Sequence, residues 1–223
     1  MLIYFLIIVI IPVVAQMKVQ GAFAKYSKVT SSSRMPGHQV ARQILDSHGL
    51  YDVTVHQVPG KLSDHYDPRN KTVNLSPDVY NGYSVAATAV AAHEVGHAIQ
   101  HAQSYPFLEM RSKLVPIANF GSNFSWIIII IGFLLSSQGF VLAGILLMLG
   151  AVLFQLVTLP VEFNASSRAM DEVVSLGIIR NDEERETKKV LNAAALTYVA
   201  AAAVAVMELL RLVLIYTGMS RDE

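Results

Sequence analysis

Four long apolar runs constrain the fold of this chain more than any other feature. They cover residues 2–15, 114–135, 140–159 and 193–218. A transmembrane α-helix needs about 20 mostly apolar residues, so the last three runs are each long enough to cross a bilayer. The first run becomes long enough when its neighbouring residues are included, and no basic residues precede it as they would in a signal peptide. The sequence therefore predicts a mainly α, multi-pass membrane protein with about four spans.

The composition supports a membrane protein rather than a soluble domain. Hydrophobic residues make up 53% of the chain and charged residues only 15%, whereas soluble domains carry about 25% charged residues. The formal net charge is zero, which gives no support for binding to nucleic acid. Because the chain has no cysteine, disulfides and thiolate metal sites are excluded. Any bound metal must be held by nitrogen and oxygen atoms.

Polar segments between the apolar runs divide the chain into five predicted parts. The largest polar segment has no apolar run of membrane-spanning length, so it is expected to fold outside the bilayer. In chain order, the parts are a membrane anchor helix at 1–17, an α+β catalytic region at 18–113, a transmembrane hairpin at 114–160, a polar helix and loop at 161–192, and a C-terminal transmembrane helix at 193–218.

The α+β region shows both helical and strand periodicity. A helix is predicted over residues 37–50 with Gly49 at its end, and a second helix begins at Ser84, whose side chain can cap it. Between the helices, residues 53–58 alternate as a strand does, and residues 71–75 form a second short strand after a turn. We further expect residues 71–75 to lie at an exposed sheet edge, on which an extended substrate can pair.

The order of the spans predicts which polar segments share a side of the membrane. Residues 18–113 and 161–189 are separated by two crossings, so they face the same compartment. By the positive-inside rule this compartment is the cytoplasm, because lysine and arginine residues near the span ends lie on its side. Those residues are Lys18, Lys25, Lys28, Arg111, Lys113, Arg168, Lys188 and Lys189. The turn at 136–139 and both termini, including the charged residues 221–223, are expected outside.

The last apolar run contains two charged residues, Glu208 and Arg211. Residues three apart lie on the same face of a helix, so these two side chains can pair. Charged residues inside a membrane often mark a functional site. Two opposite charges that pair with each other near one end of a span are better interpreted as structural.

Residues 93–97 read HEVGH, an H-E-x-x-H motif inside the helix predicted from Ser84. At about 100° per residue, His97 lies about 40° around the helix axis from His93, so both imidazoles can reach one zinc ion. Glu94 is close enough to hold a water molecule without binding the metal, and it can take the proton of that water. The motif predicts zinc with Glu94 as general base, rather than a surface helix with two chance histidines.

A catalytic zinc site of this kind needs a third protein ligand and one open position. We select Glu162, because it directly follows the third span and the hairpin returns it to the side of the motif. His101 lies two helical turns from His93, about 12 Å along the axis, which is too far for the same ion. The other candidates on that side are His56, His65, Asp67, Glu109 and Asp171.

HEVGHAIQHA, followed after a transmembrane hairpin by LPVEFNASSRA, resembles the YugP-like membrane zinc metallopeptidases, as does the stretch at 62–98. The resemblance extends over residues 35–215. It implies hydrolysis of peptide bonds at a bacterial cell membrane. It also implies that Glu94 is first the general base and then a proton donor, while the metal is held by His93, His97 and Glu162.

A more distant similarity links the chain to the HtpX family and the CAAX-prenyl proteases, which implies a gluzincin. In those families the third ligand is the Glu of an E-x-x-A-D segment, and the Asp orients a zinc-binding His. Ser166 stands here in place of that Asp. We therefore expect Ser166 to orient the histidine more weakly, or another group such as Asp171 to replace it.

Two other classes of function compete with a protease. The main alternative is a non-hydrolytic membrane scaffold held together by zinc, although structural zinc sites usually have four ligands, often cysteine. A metal transporter would need ligands inside the spans, and the histidines lie outside them. The sequence favours a membrane-embedded zinc endopeptidase that acts on proteins or peptides in contact with lipid. Candidates for a further transition-state donor are His65, Tyr66, Tyr80, His101 and Arg168.

Overall fold

The computed structural model describes residues 2–219. Met1, from the predicted anchor, and the charged residues 221–223 lie outside the described residues. Over the described range the chain is mainly helical with one small sheet, which confirms the predicted fold class. The elements are α1 (Leu2–Tyr26), α2 (Gly37–Ser47), β1 (Thr54–Gln57), β2 (His65–Asp67), β3 (Thr72–Leu75), α3 (Pro77–Tyr80), α4 (Val85–Ala102), α5 (Pro106–Leu134), α6 (Gln138–Ser175) and α7 (Glu184–Met219).

Four of the described helices, α1, α5, α6 and α7, are long and apolar enough to cross a membrane by length and composition. α1 continues well past the first apolar run and ends at Tyr26. This extension follows from the many helix-forming residues after the apolar run, since a helix need not end where its apolar residues end. The candidate span in α1 is 24 residues long, which exceeds the bilayer requirement of about 20.

The chain divides into two compact units. Within the described residues, the first unit comprises 2–12, 106–160 and 198–219, and the second comprises 13–105 and 161–197. The first unit contains most of the apolar helical sequence. The second contains the sheet, α2, α3 and α4, together with the end of α6 and the start of α7.

The predicted pairing of two charged residues within α7 is confirmed in the first unit. Arg211 donates from Nε and Nη2 to Oε2 of Glu208, at 3.2 and 2.9 Å. The guanidinium group also lies within 6 Å of three aromatic rings, those of Tyr4, Phe5 and Trp126. The charge of Arg211 is thus stabilised within the protein by a carboxylate and by aromatic rings. This supports the structural role predicted for the pair from the sequence.

The sheet of the second unit has the strand order β1-β3-β2. β1 pairs with β3 in parallel, and β2 pairs with β3 antiparallel across the turn at 67–70. The carboxylate of Asp67 accepts hydrogen bonds from the Arg69 backbone N–H and the Asn70 side chain, which stabilises this turn. The prediction that residues 71–75 form an exposed edge is therefore wrong. The strand is central because residues 65–67, too few to show periodicity, form another strand beside it.

Helices α2 and α4 form the core of the second unit. Val40, Ile44 and Leu45 of α2 are fully buried, and they belong to the same apolar cluster as the alanine-rich face of α4. α4 begins at the predicted cap, where the Ser84 hydroxyl accepts a hydrogen bond from the Ala87 N–H at 3.1 Å. The end of α2 is also as predicted, since Gly49 follows it with a φ of +69°.

Candidate metal centre

The small residues of α4 allow the second part of α6 to approach it closely. Gly96 is the closest point, because a Cβ built on it would lie only 2.6 Å from the carbonyl oxygen of Ala165. Any side chain at this position would push the two backbones apart. This contact brings Glu162, one helical turn before Ala165, to the face of α4 that carries His93 and His97.

One donor atom from each of His93, His97 and Glu162 lies within 4.8 Å of the other two. Oε2 of Glu162 is 3.3 Å from Nε2 of His93 and 3.5 Å from Nε2 of His97. Two ligand atoms bound to one tetrahedral zinc ion at about 2.1 Å lie about 3.4 Å apart. The two separations measured from the Glu162 carboxylate therefore fit ligands of one zinc ion. The side chain of Glu162 is 2% exposed, whereas those of His93 and His97 remain 12% and 11% exposed.

The other ring nitrogen of each histidine contacts a different kind of side chain. Nδ1 of His93 lies 3.2 Å from the Ser166 hydroxyl, and Nδ1 of His97 lies 3.0 Å from Oε1 of Gln100. Partners of this kind orient the ring and leave Nε2 free to face a metal. Ser166 contacts the histidine as the sequence suggested, whereas Asp171, the alternative, is exposed. The contact of Gln100 was not predicted, although its position three residues after His97 was a usable signal.

Glu94 lies on α4 beside the three donors but outside their cluster. Its side chain is buried, and burial raises the pKa of its carboxyl to about 7. The charge of His93 acts in the other direction and lowers this pKa, but burial has the larger effect. The nearby carboxylates of Glu162 and Asp64 raise the pKa further. A carboxyl with a pKa near neutrality can both accept and release a proton during a reaction at neutral pH.

The remaining ligand candidates are not part of the cluster. Nδ1 of His101 pairs with the hydroxyl of Tyr66 at 2.8 Å. Nε2 of His56 contacts the Thr54 hydroxyl, and Nδ1 of His65 contacts the Ser63 carbonyl. The Asp67 carboxylate accepts a hydrogen bond within the β2–β3 turn. Glu109 and Asp171 are exposed. The residues outside the cluster are therefore His56, His65, Asp67, His101, Glu109 and Asp171.

The candidate transition-state donors have distinct surroundings. Tyr66 and His101 contact each other, and burial raises the pKa of the Tyr66 hydroxyl to about 12, which weakens it as an acid. Arg168 donates to Asn164 and Gln103. The Tyr80 ring stacks on the His38 ring, and the backbone carbonyl of Tyr80 accepts a hydrogen bond from Nδ1 of His38. A side-chain hydrogen bond thus joins two of the five candidates, Tyr66 and His101.

Comparison with known proteins gives two matches that cover nearly the whole chain. The family described as "Putative neutral zinc metallopeptidase" matches residues 1–217. The chain is also 54% identical over 209 residues to "Putative membrane protease YugP" of Bacillus subtilis (strain 168), which covers 94% of this chain and 92% of that protein. No solved structure matches significantly. The more distant similarity to the HtpX and CAAX-prenyl protease families stays a prediction.

Proposed function

The chain belongs to the family of neutral zinc metallopeptidases, and from that premise we propose that it is a membrane-embedded endopeptidase whose zinc ion is held by His93, His97 and Glu162. One observation carries this proposal, the spacing of 3.3 and 3.5 Å between the Glu162 carboxylate and the two imidazole Nε2 atoms. Zinc is the cofactor that both the family and this donor set indicate. Two histidines and one glutamate are a gluzincin ligand set that leaves one position for water.

A zinc ion held by His93, His97 and Glu162 would supply a bound water molecule with its pKa lowered toward about 7 and would polarise the scissile carbonyl. The Glu94 carboxylate would accept one proton from the attacking water molecule as the water oxygen bonds to the carbonyl carbon. The same carboxyl would then deliver that proton to the amide nitrogen as the C–N bond breaks, which leaves an amine and a carboxylic acid; the acid proton passes to the amine at neutral pH. The position of Glu94 beside the donors, but outside their cluster, suits this role.

The strand that binds an extended substrate is β2 rather than β3. β2 lies at one edge of the sheet and packs against α4. His65, the first residue of β2, and Asp64 just before it are near enough to Glu94 to act electrostatically on its carboxyl. A peptide that pairs with the outer edge of β2 therefore passes the general base in an extended conformation, in which its backbone carbonyls are accessible.

The metal centre faces the cytoplasm in this proposal. The support is the accumulation of lysine and arginine next to the spans on the side of residues 18–113. The substrates are then proteins or peptides that reach the cytoplasmic surface of the membrane.

The decisive experiment compares bound zinc and peptide cleavage for the detergent-purified native chain and its Glu94→Gln variant. We expect both proteins to bind one zinc ion and the variant to lose activity by about 100-fold or more, because only the proton carrier is removed. Glu109→Gln, a change to an exposed glutamate, is the matched control and should cleave normally. Equal cleavage by the native chain and Glu94→Gln would exclude the proposed base. A zinc scaffold would bind the metal in all three proteins and cleave in none.

A further inference from the structure

A chain of hydrogen bonds leads from Arg168 to the metal-facing histidine His97. We propose that Arg168, Asn164 and Gln100 form a polar relay, which we call the α6–α4 relay, and that its fixed direction sets the tautomer of His97. The relay would keep the Nδ1 of His97 protonated and its Nε2 lone pair directed at the metal position. The inference rests on the proposed zinc site and concerns positioning residues, since none of the three relay residues belongs to the donor cluster.

The direction of the relay begins at Arg168. A guanidinium group carries five N–H donors and has no acceptor. Its Nε donates to Oδ1 of Asn164 at 2.7 Å, and its Nη1 donates to Oε1 of Gln103 at 2.7 Å. The amide oxygen of Asn164, and not its NH₂ group, must therefore face Arg168. The same oxygen also faces α4.

Gln100 transmits this direction from α6 to α4. Its side chain is fully buried, so each of its polar atoms needs a partner within the protein. Nε2 of Gln100 donates to Oδ1 of Asn164 at 2.9 Å and to the backbone carbonyl of Val161 at 2.8 Å. Because both partners are oxygens that only accept here, the NH₂ end of Gln100 has to face them. Its Oε1 then has to face His97.

The tautomer of His97 follows from the last contact. Oε1 of Gln100 lies 3.0 Å from Nδ1 of His97 and can only accept a hydrogen bond. Nδ1 must therefore carry a proton, so Nε2 of the neutral ring has the lone pair. This Nε2 is the atom 3.5 Å from Glu162 Oε2. If the Gln100 amide turned over, its oxygen would face two other acceptors, and its NH₂ group would hold His97 in the tautomer that cannot bind a metal through Nε2.

His93 provides an internal contrast. Its Nδ1 contacts the hydroxyl of Ser166, and a hydroxyl can either donate or accept a hydrogen bond. Ser166 therefore orients the ring of His93 without selecting its tautomer. The two histidines of the motif thus differ in how strongly the protein prepares them for metal.

The test measures zinc affinity by competition with a chelating indicator, which needs no catalysis. We expect Gln100→Met to weaken zinc binding about 10-fold or more, the usual effect of removing a partner that orients a ligand. Arg168→Met should weaken it in the same direction, while Arg168→Lys, which still only donates, should retain most of the affinity. Ser166→Ala should weaken binding less than Gln100→Met does. Unchanged zinc affinity in Arg168→Met would overturn the relay.

A double variant separates the relay from a merely structural role of Arg168. Aspartate at position 164 has two acceptor oxygens and no donor, so it presents an acceptor to Gln100 even when Arg168 is absent. We therefore expect Asn164→Asp to restore zinc affinity in the Arg168→Met background. If affinity is not restored, Arg168 acts only by holding the helices together and the proposal fails.

The same proteins give a spectroscopic readout of the tautomer. In the metal-free state, ¹⁵N shifts of labelled histidine distinguish an Nδ1–H ring from an Nε2–H ring. The native chain should show a proton on Nδ1 of His97, whether or not Nε2 beside the Glu162 carboxylate also carries one, and Gln100→Met should show a mixture. A ring of His97 protonated only on Nε2 in the native chain would contradict the relay. If the relay variants lose zinc affinity while Glu94→Gln cleaves normally, the relay stands and the proposed peptidase mechanism fails.

Discussion

Gly96 of α4 lies directly against Ala165 of α6, so closely that a Cβ at position 96 would be 2.6 Å from the Ala165 carbonyl oxygen. This contact joins the helix of the two histidines to the helix of Glu162. The separation of the donors therefore depends on the absence of a side chain at one position. Substitutions at Gly96 should change metal binding without altering any ligand.

We expect Gly96→Ala to destabilise the protein by about 1–3 kcal/mol, the usual cost of overpacking, and to weaken zinc binding. The cause is that α6 must move away from α4 to admit the methyl group. Thermal unfolding and zinc titration in detergent measure the two effects. Gly21→Ala is the matched control, since beyond the adjacent residues and backbone of its own helix nothing lies within 4 Å of a Cβ at that position. Normal zinc affinity in Gly96→Ala would show that the close contact does not set the donor spacing.

Zinc should stabilise the folded chain measurably. A ligand that binds only the folded state at 100 times its dissociation constant adds about 2.7 kcal/mol to the free energy of unfolding. The melting temperature of metal-free protein should therefore rise on addition of zinc, and Glu162→Gln should lose most of this rise. Asp171→Asn, which alters an exposed carboxylate on the same helix, should keep it. A full zinc-induced rise in Glu162→Gln would remove Glu162 from the ligand set.

Glu183 should make stability depend on pH in the acidic range. Its carboxylate accepts hydrogen bonds from the Ser32 N–H at 2.8 Å, the Ser32 hydroxyl and the Arg180 N–H at 2.9 Å. Burial alone would raise the pKa of Glu183, but these hydrogen bonds outweigh it and hold the pKa below its ordinary 4.5. The ionised form is therefore favoured by folding. Its stabilisation is complete above pH 4.5 and is lost as the pH falls through the lower folded-state value.

Glu183→Gln should accordingly cost about 1–3 kcal/mol near pH 7, where a charged acceptor is replaced. The difference from the native chain should shrink as the pH falls below 4.5, because the unfolded chain then binds a proton on Glu183 that the folded chain does not bind until the lower folded-state pKa is reached. Melting curves at pH 7 and at pH 3.5 test this, with Asp182→Asn, an exposed neighbour, as control. A difference that is equal at both pH values would rule out the ionised carboxylate as the stabilising form.

The membrane topology can be tested with single cysteines, because the natural chain has none. Ser136→Cys lies in the hairpin turn, while Lys61→Cys and Asp182→Cys lie in the two polar segments, all at exposed positions. A membrane-impermeant maleimide should label position 136 in intact cells, and the other two only after permeabilisation. The reverse pattern would place the metal centre outside the cytoplasm.

Backbone pairing of the substrate with β2 predicts a sensitivity to N-methylation. In an extended peptide, alternate amide N–H groups point toward the neighbouring strand. Methylation of those amides in a cleaved peptide should lower kcat/KM by about 10-fold, and methylation of the intervening amides should have a smaller effect. Equal rates for all methylated peptides would argue against binding by strand pairing.

Much of the candidate site could be predicted from sequence because its determinants are local or topological. The i, i+4 spacing of His93 and His97 depends only on helix geometry, and Ser84 marks the start of that helix. Glu162 could be predicted as a ligand only from the topology, because a transmembrane hairpin returns the chain to the side of the membrane that carries the two histidines. The structure brings these three side chains together.

Other features were missed because they depend on contacts between distant residues. Strand β2 is only three residues long, so its pairing with β3 leaves no periodic pattern in the sequence. Spacing along α4 places Gln100 near His97, but the direction of its amide was missed because it depends on Asn164 and Val161 of α6. Similarly, Gly96 gives no signal by itself, since the carbonyl that excludes a side chain there belongs to another helix.

The set of donors at the metal centre, two imidazoles and one carboxylate, has a consequence for oxidative stress. Peroxide and disulfides eject zinc from many proteins by oxidising the thiolates that hold it. A centre without sulfur gives such oxidants no ligand to attack. Zinc bound at this centre would therefore be retained under oxidising conditions that remove the metal from thiolate-based zinc proteins.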